Sequence, residues 1–277
     1  MEKKEKLVGI KLTKILVIFY FFYLASCSWS DEREFNRGLR EVNQKNYRIS
    51  LRHFENAIKY APTSVWGIKS AREASRISQY EIKNYEKAIY FHRHLVLYSD
   101  NSEERIKSQK DIAYIYFDNL QNYQQAIIEF YKLLQMTKVD AEIAMYKLSI
   151  ARANYYINNF DQAQNEINEI SRLKIPEEIQ FDVLILHGNV LVAQKQFQKA
   201  IFIYKEVLKR YPEQSAKENV NLTLAVCFEE NNQFKESIDI LEKLKVTYKP
   251  VEYIELRIKR LKERLKNQPG AKGLHRK

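Results

Sequence analysis

Six glycines in 277 residues are too few for a protein built from tight hairpins, because the favoured two-residue turns demand positive φ. Two cysteines, Cys27 and Cys227, exclude a disulfide framework, so the fold must rest on its apolar core. Only five prolines interrupt the chain, which leaves long stretches open to helix. The apolar run Ile15–Leu24 is ten residues long, short of the ~20 that a spanning helix needs. There is no glycine-rich phosphate loop, no Gly-x-Ser-x-Gly, no His-Glu-x-x-His and no paired-cysteine spacing. Nothing therefore argues for an enzyme, a metal or a cofactor. The five histidines do not form a ligand set. His92 and His94 lie two apart on a predicted helix and face different sides, His53 and His187 are isolated, and His275 is close to the end of the chain.

What the chain does have is a repeat. A side-chain amide followed by an aromatic returns as Asn46-Tyr47, Asn84-Tyr85, Asn122-Tyr123, Asn159-Phe160, Gln196-Phe197 and Gln233-Phe234, in steps of 38, 38, 37, 37 and 37. Three positions after each aromatic stands a small residue: Ser50, Ala88, Ala126, Ala163, Ala200 and Ser237. Nine to eleven positions before it stands another: Gly38, Ala74, Ala113, Ala151, Gly188 and Ala225. Pro62, Pro176, Pro212 and Pro250 punctuate four of the six units. So steady a period is the mark of stacked supersecondary units. Within a unit the apolar spacing is helical, as in Phe197, Ala200, Ile201, Tyr204, Val207 and Leu208. Each unit thus reads as two antiparallel helices, A then B. The small residues let A and B approach closely, and the aromatic after the turn plugs the gap.

These residues resemble the tetratricopeptide repeat family. Unit five matches through Gly188, Leu191, Phe197, Ala200, Tyr204 and Pro212. Unit one matches through Gly38, Tyr47, Phe54, Ala57 and Pro62. Unit two departs, with Ala74 too far from Tyr85 and His92 in place of the helix-B aromatic. The period exceeds the family's 34 residues by roughly one helical turn of about 3.6 residues, which lengthens a helix and keeps its faces in phase. The resemblance implies an all-α, right-handed superhelical solenoid of about six helix pairs over 35–250. A basic capping helix is expected over 251–268, from the stripe Val251, Ile254, Ile258, Leu261 and Leu265, with a frayed tail over 269–277.

The family lines its groove with helix A residues. Carried over to this chain, the candidate partner-binding residues are Arg152, Tyr155, Tyr156, Asn189, Asn219 and Glu229. Arg and Tyr are good interface anchors. The family's basic clamp for a C-terminal carboxylate is not reproduced, since unit one has Phe35 and Leu39 at groove positions. Cys227 is expected to be a buried structural thiol.

The first residues set a compartment. Lys3, Lys4, Lys6, Lys11 and Lys14 precede the apolar run, and Leu24-Ala25-Ser26-Cys27 follows, the order of a secretory signal. With its cysteine, the segment resembles the lipobox of bacterial lipoproteins. That implies a signal peptide over 1–26, lipid on Cys27, and a linker to residue 34. Ser28 in the next position resembles an outer-membrane address. Residues 251–277 hold nine Lys/Arg against three Glu, so much of the formal charge of +11 lies at this end. A lipoprotein does not routinely meet nucleic acid. Arg257, Arg260, Arg264 and Lys266 are therefore read as a candidate docking face for an acidic protein or envelope polymer, beside the plainer reading of a solvated helix face.

The functional expectation is a non-enzymatic, lipid-anchored interaction scaffold facing the periplasm from the outer membrane, with no small-molecule substrate. Its implied partners are β-barrel assembly subunits. The alternatives are a pilotin that serves a secretin, and a tethered peptide-binding chaperone.

Overall fold

The computed structural model describes residues 30–267. Leu24, Ala25, Ser26, Cys27 and the tail 269–277 lie outside the described residues. The helices fall into two compact units that divide after Met136.

The first unit holds repeats 1–3. Repeat 1 is α1 (30–43) with α2 (Tyr47–Tyr60). Repeat 2 is α3 (Val65–Arg76), which continues into a π-helical turn Ile77–Glu81, with α4 (Tyr85–Tyr98). Repeat 3 is α5 (Ser102–Tyr114), with a second π-turn Ile115–Asn119, and α6 (Tyr123–Leu134). The second unit holds repeat 4, α7 (Asp140–Tyr156) and α8 (Phe160–Ile170), and repeat 5, α9 (Glu177–Ala193) and α10 (Phe197–Arg210). Repeat 6 is a short α11 (Pro212–Lys217), α12 (Val220–Glu230) and α13 (Phe234–Leu244), followed by α14 (Val251–Asn267). Among the described residues no helix is long and apolar enough to cross a membrane.

The repeating motif is a turn. In every repeat the amide residue is the N-cap of helix B and the aromatic its first helical residue. The residue before the amide is left-handed: Lys45, Lys83, Gln121, Asn158, Lys195 and Asn232 have φ between 49° and 60°. A left-handed residue just past a helix lets the next amide reach back to an orphan carbonyl. In four repeats that bond spans five residues, as in Asn46 N–H to Glu41 O at 2.9 Å, Asn159 to Asn154 at 2.8 Å, Gln196 to Leu191 at 2.8 Å and Gln233 to Phe228 at 2.8 Å. In repeats 2 and 3 it spans six, Asn84 to Ser78 and Asn122 to Tyr116, both at 2.8 Å. The extra residue is the one absorbed by each π-turn. It accounts for steps of 38 arriving at Tyr85 and Tyr123, against 37 arriving at Phe160, Phe197 and Phe234.

The same bulge corrects the phase of repeat 2. Ser75 stands ten residues before Tyr85, as Ala113 stands before Tyr123. Ser75, which is buried, is thus the in-phase small residue rather than Ala74. The longer period goes into helix A, since α7 and α9 each span 17 residues while the helix-B partners span 11 and 14.

Between the helices the packing is small against large. The six residues three after the aromatic are all 0% exposed. Seven after it come Phe54, His92, Phe130, Ile167, Tyr204 and Leu241, all buried. Two of the rings, Phe54 and Tyr204, face glycines, and a Cβ on Gly38 or Gly188 would come within 2.5 Å of Phe54 Cε1 or 2.6 Å of Tyr204 Cζ. Ile167 and Leu241 belong to repeats that carry Ala151 and Ala225 at the same position. The aromatic directly after the turn is only half-buried in repeats 1–5, and Phe234 alone is buried. Closure between A and B therefore falls to the small residue and to the side chain one turn further on, not to that aromatic.

Residues 30–34, expected as linker, form the first turns of α1. Asp31 is fully buried and accepts from Ser64 Oγ at 2.5 Å, while Glu34 Oε2 lies 2.8 Å from His53 Nδ1. Ser64 caps α3 and His53 lies on α2, so these carboxylates tie α1 to repeat 2 and to its own helix B, and no local signal carries that. At the other end, α14 seats Ile254, Ile258 and Leu261 on Phe234, Ile238 and Leu241.

Candidate partner-binding cleft

Within the second unit, the helix A segments α7 and α9 line a cleft of about 260 Å³. Four of the six expected residues meet there: Arg152, Tyr155 and Tyr156 from α7 and Asn189 from α9, joined by Asp182, Ile185 and Leu186. Helical spacing explains the grouping. Arg152, Tyr155 and Tyr156 are three and four apart, as are Asp182, Ile185, Leu186 and Asn189, so each set forms one face.

Asn189 is oriented from below. Its Oδ1 accepts from Tyr204 Oη at 2.6 Å, and burial pushes the Tyr204 phenol well above its ordinary range, so it stays a donor. Arg152 donates to Asp182 Oδ2 at 2.7 Å, with both side chains about two-fifths exposed. The cation is therefore balanced and the cleft is no anion clamp. Tyr155 and Tyr156 pack edge to face at 5.8 Å, and Tyr156 is 52% exposed at the rim. An amide, a hydrogen-bonded ion pair and two phenols over apolar Ile185 and Leu186 suit a chain with a polar backbone and apolar side chains. Asp182, Ile185 and Leu186 were missed in the sequence, although their spacing relative to Asn189 could have found them.

The other two expected residues are elsewhere. Asn219 has φ 54° and ψ 34° and sits ahead of α12, exposed, where it breaks helix A of repeat 6 into α11 and α12. Glu229 is committed to the closing helix. Its Oε2 accepts from Arg257 at 2.8 and 3.1 Å and its Oε1 from Arg264 at 2.6 Å. Arg264 also lies 4.5 Å over the Phe234 ring. Two members of the expected basic docking face thus fasten α14 to repeat 6, while Arg260 and Lys266 are exposed. Cys227 is 1% exposed, and burial pushes its thiol up to about 11, as fits a structural residue. Among the described residues no three His, Cys, Asp or Glu side chains are grouped to hold a metal ion.

Comparison with known proteins shows what the fold is similar to. The tetratricopeptide repeat profile matches residues 191–252. No curated protein matches the chain by sequence. Among solved structures, PilW, described as a widely conserved type IV pilus biogenesis factor, is 13% identical with a TM-score of 0.52, over 82% of this chain and 98% of its own. A tetratricopeptide repeat protein from Parabacteroides merdae is 13% identical with a TM-score of 0.54, over 84% and 87%. YrrB, described as a tetratricopeptide repeat protein with an unusual peptide-binding site, is 15% identical with a TM-score of 0.52, over 75% and 97%. At these identities the likeness is one of fold. The chain is all-α and adopts the tetratricopeptide repeat fold, a class that generally serves as a non-enzymatic scaffold for protein–protein interaction.

Proposed function

We propose that the protein is a lipid-anchored, non-enzymatic interaction scaffold of a bacterial envelope, held at the outer membrane through Cys27 and engaging partner proteins through the α7–α9 cleft. The observation that carries the binding half is the convergence of Arg152, Tyr155, Tyr156 and Asn189 on one cleft with Asp182. The envelope half rests on the basic segment, the run Ile15–Leu24 and Leu24-Ala25-Ser26-Cys27. Outer-membrane protein assembly is the first role. A pilotin role for a secretin is the second, favoured by a fold shared with nearly the whole length of PilW.

The test is an affinity pull-down of the full chain in mild detergent, beside Cys27→Ala and Arg152→Glu/Tyr156→Ala variants, read by mass spectrometry. Recovery of β-barrel assembly subunits, lost in both variants, supports the first role. A secretin in their place supports the second. Diverse unfolded clients would turn the reading toward a tethered chaperone, and a wild-type pattern unchanged in both variants would overturn anchor and cleft together.

A further inference from the structure

Repeat 2 departs from its neighbour at two positions that touch. In repeat 3 they are Phe117, in the π-turn, and Phe130, on α6, whose rings meet at 6.1 Å. In repeat 2 the equivalent residues, 38 earlier, are Gln79 and His92, with Gln79 Oε1 3.2 Å from His92 Nε2. One repeat closes this junction with two aromatic rings and the other with two polar groups. A buried polar pair costs stability unless every donor and acceptor is met, so the exchange calls for a reason.

The pair is not fully met. His92 is 5% exposed, and its Nδ1 has no hydrogen-bond partner among the described residues. The Gln79 carbonyl oxygen fixes the proton on Nε2, which leaves Nδ1 an acceptor. On that side Asp111 Oδ2, from α5, lies 3.8 Å away. It too is an acceptor and beyond bonding reach. Burial, with Lys107 adding to it, pulls the His92 pKa down to about 4, so the ring does not protonate to meet Asp111 at neutral pH. Burial likewise raises Asp111.

These groups line a cavity of about 510 Å³, within the range of ligand sites. Its walls are neutralised: Arg72 pairs with Glu104 at 2.5 Å, and Arg76 with Glu73 at 3.1 Å. Tyr80, 63% exposed, stands at the mouth. Three charges in the lining have no opposite charge in bonding contact among the described residues: Asp111, Lys107 one helical turn before it on α5, and the exposed Glu103 one turn before that.

We propose that this cavity binds a small zwitterion of the amino-acid type, its ammonium group bridging His92 Nδ1 and the Asp111 carboxylate and its acidic group meeting Lys107. Two acceptors a few ångströms apart are joined by a group carrying at least two N–H donors. The carboxylate selects a cation over a neutral amide. Lys107 can meet the acidic end, a contact that a decarboxylated amine lacks. This goes beyond the scaffold reading and does not depend on it, because the cavity lies wholly within repeats 2 and 3, apart from the α7–α9 cleft.

The test is calorimetric titration and thermal shift of the purified full chain with a panel of free L-amino acids, their N-acetyl derivatives and their decarboxylated amines. At least one free amino acid is expected to bind. Its N-acetyl and decarboxylated forms should bind at least tenfold more weakly. Asp111→Asn should reduce affinity at least tenfold. Gln79→Phe/His92→Phe, which copies the packing of repeat 3 and so keeps the fold, should abolish binding. The proposal is overturned if no member of the panel binds, if N-acetylation leaves affinity unchanged, or if the double-Phe variant binds like the wild type.

Discussion

Repeats 2 and 3 differ from repeats 4–6 by one residue at the end of helix A, and each group handles its turn in its own way. In the later repeats the turn is tight, and the Asn159 side chain folds back to donate to Asn154 Oδ1 at 3.2 Å. In repeats 2 and 3 the π-turn moves the amide residue forward. The Asn84 and Asn122 side chains then cap helix B, accepting from Lys87 N–H at 3.0 Å and Gln125 N–H at 3.1 Å. The comparison teaches that this fold tolerates an odd residue where it can be looped out next to a left-handed position. Elsewhere an insertion would turn every later side chain by about 100°. It also shows where polar chemistry can enter, since the π-turn is what presents Gln79 to His92.

The sharpest way to break the comparison is to delete one residue from each group. Removing Asp118 from the π-turn of repeat 3 should convert it to the tight form and cost about 1 kcal/mol. Removing Ala153 from regular α7 should rotate the face that holds Leu148 and Ala151 and cost more than ~4 kcal/mol, the scale of gross core disruption. Urea unfolding followed by circular dichroism separates the two, and equal losses would defeat the account of the period.

Acid should come next in size and act on the first unit. A histidine held at about 4 when folded and near 6.5 when unfolded takes up its proton in the unfolded chain first. The stability it contributes is complete above pH 6.5 and drains away as pH falls toward 4, about 3 kcal/mol in all. Asp111, raised by burial, works in the opposite sense, chiefly near and above pH 4. The loss is therefore best read between pH 6.5 and 5 by hydrogen exchange on α4, and it should shrink in Gln79→Phe/His92→Phe to the share of His94, whose pKa burial also lowers.

Smaller effects are expected at the ring-on-glycine contacts. Gly38→Ala and Gly188→Ala gain helix propensity but drive a Cβ into buried rings, for a net loss of about 1–2 kcal/mol in chemical denaturation. Ala151→Gly opens space instead and should cost about 1 kcal/mol through the backbone alone. The caps are of similar size. Asn84→Ala and Asn122→Ala should each lose about 1 kcal/mol, while Asn159→Ala, which removes no cap bond, should lose less. Equal melting shifts in all three would mean that the π-turn does not decide what the amide does.

The amide–aromatic period, the six small residues and the helical spacing made the repeat fold legible, because each is a local steric demand repeated in register. The α7–α9 cleft was half legible: Arg152, Tyr155, Tyr156 and Asn189 follow from helix A phase, while Asp182 joins them only because α9 packs beside α7. Glu229 looked like a groove residue until α14 folded back and set two arginines on it. Asp31 and Glu34 looked like linker until Ser64 and His53 came within bonding distance. The difference between steps of 37 and 38 was plain in the sequence, but its cause was not, because a π-turn is a hydrogen-bonding pattern and leaves no composition of its own. Sequence alone thus determined which faces are small, large and apolar, since those properties belong to single residues at fixed spacing. Tertiary structure decided which charges are paired and which buried acceptors face a cavity, since those depend on helices that meet only after the chain has folded.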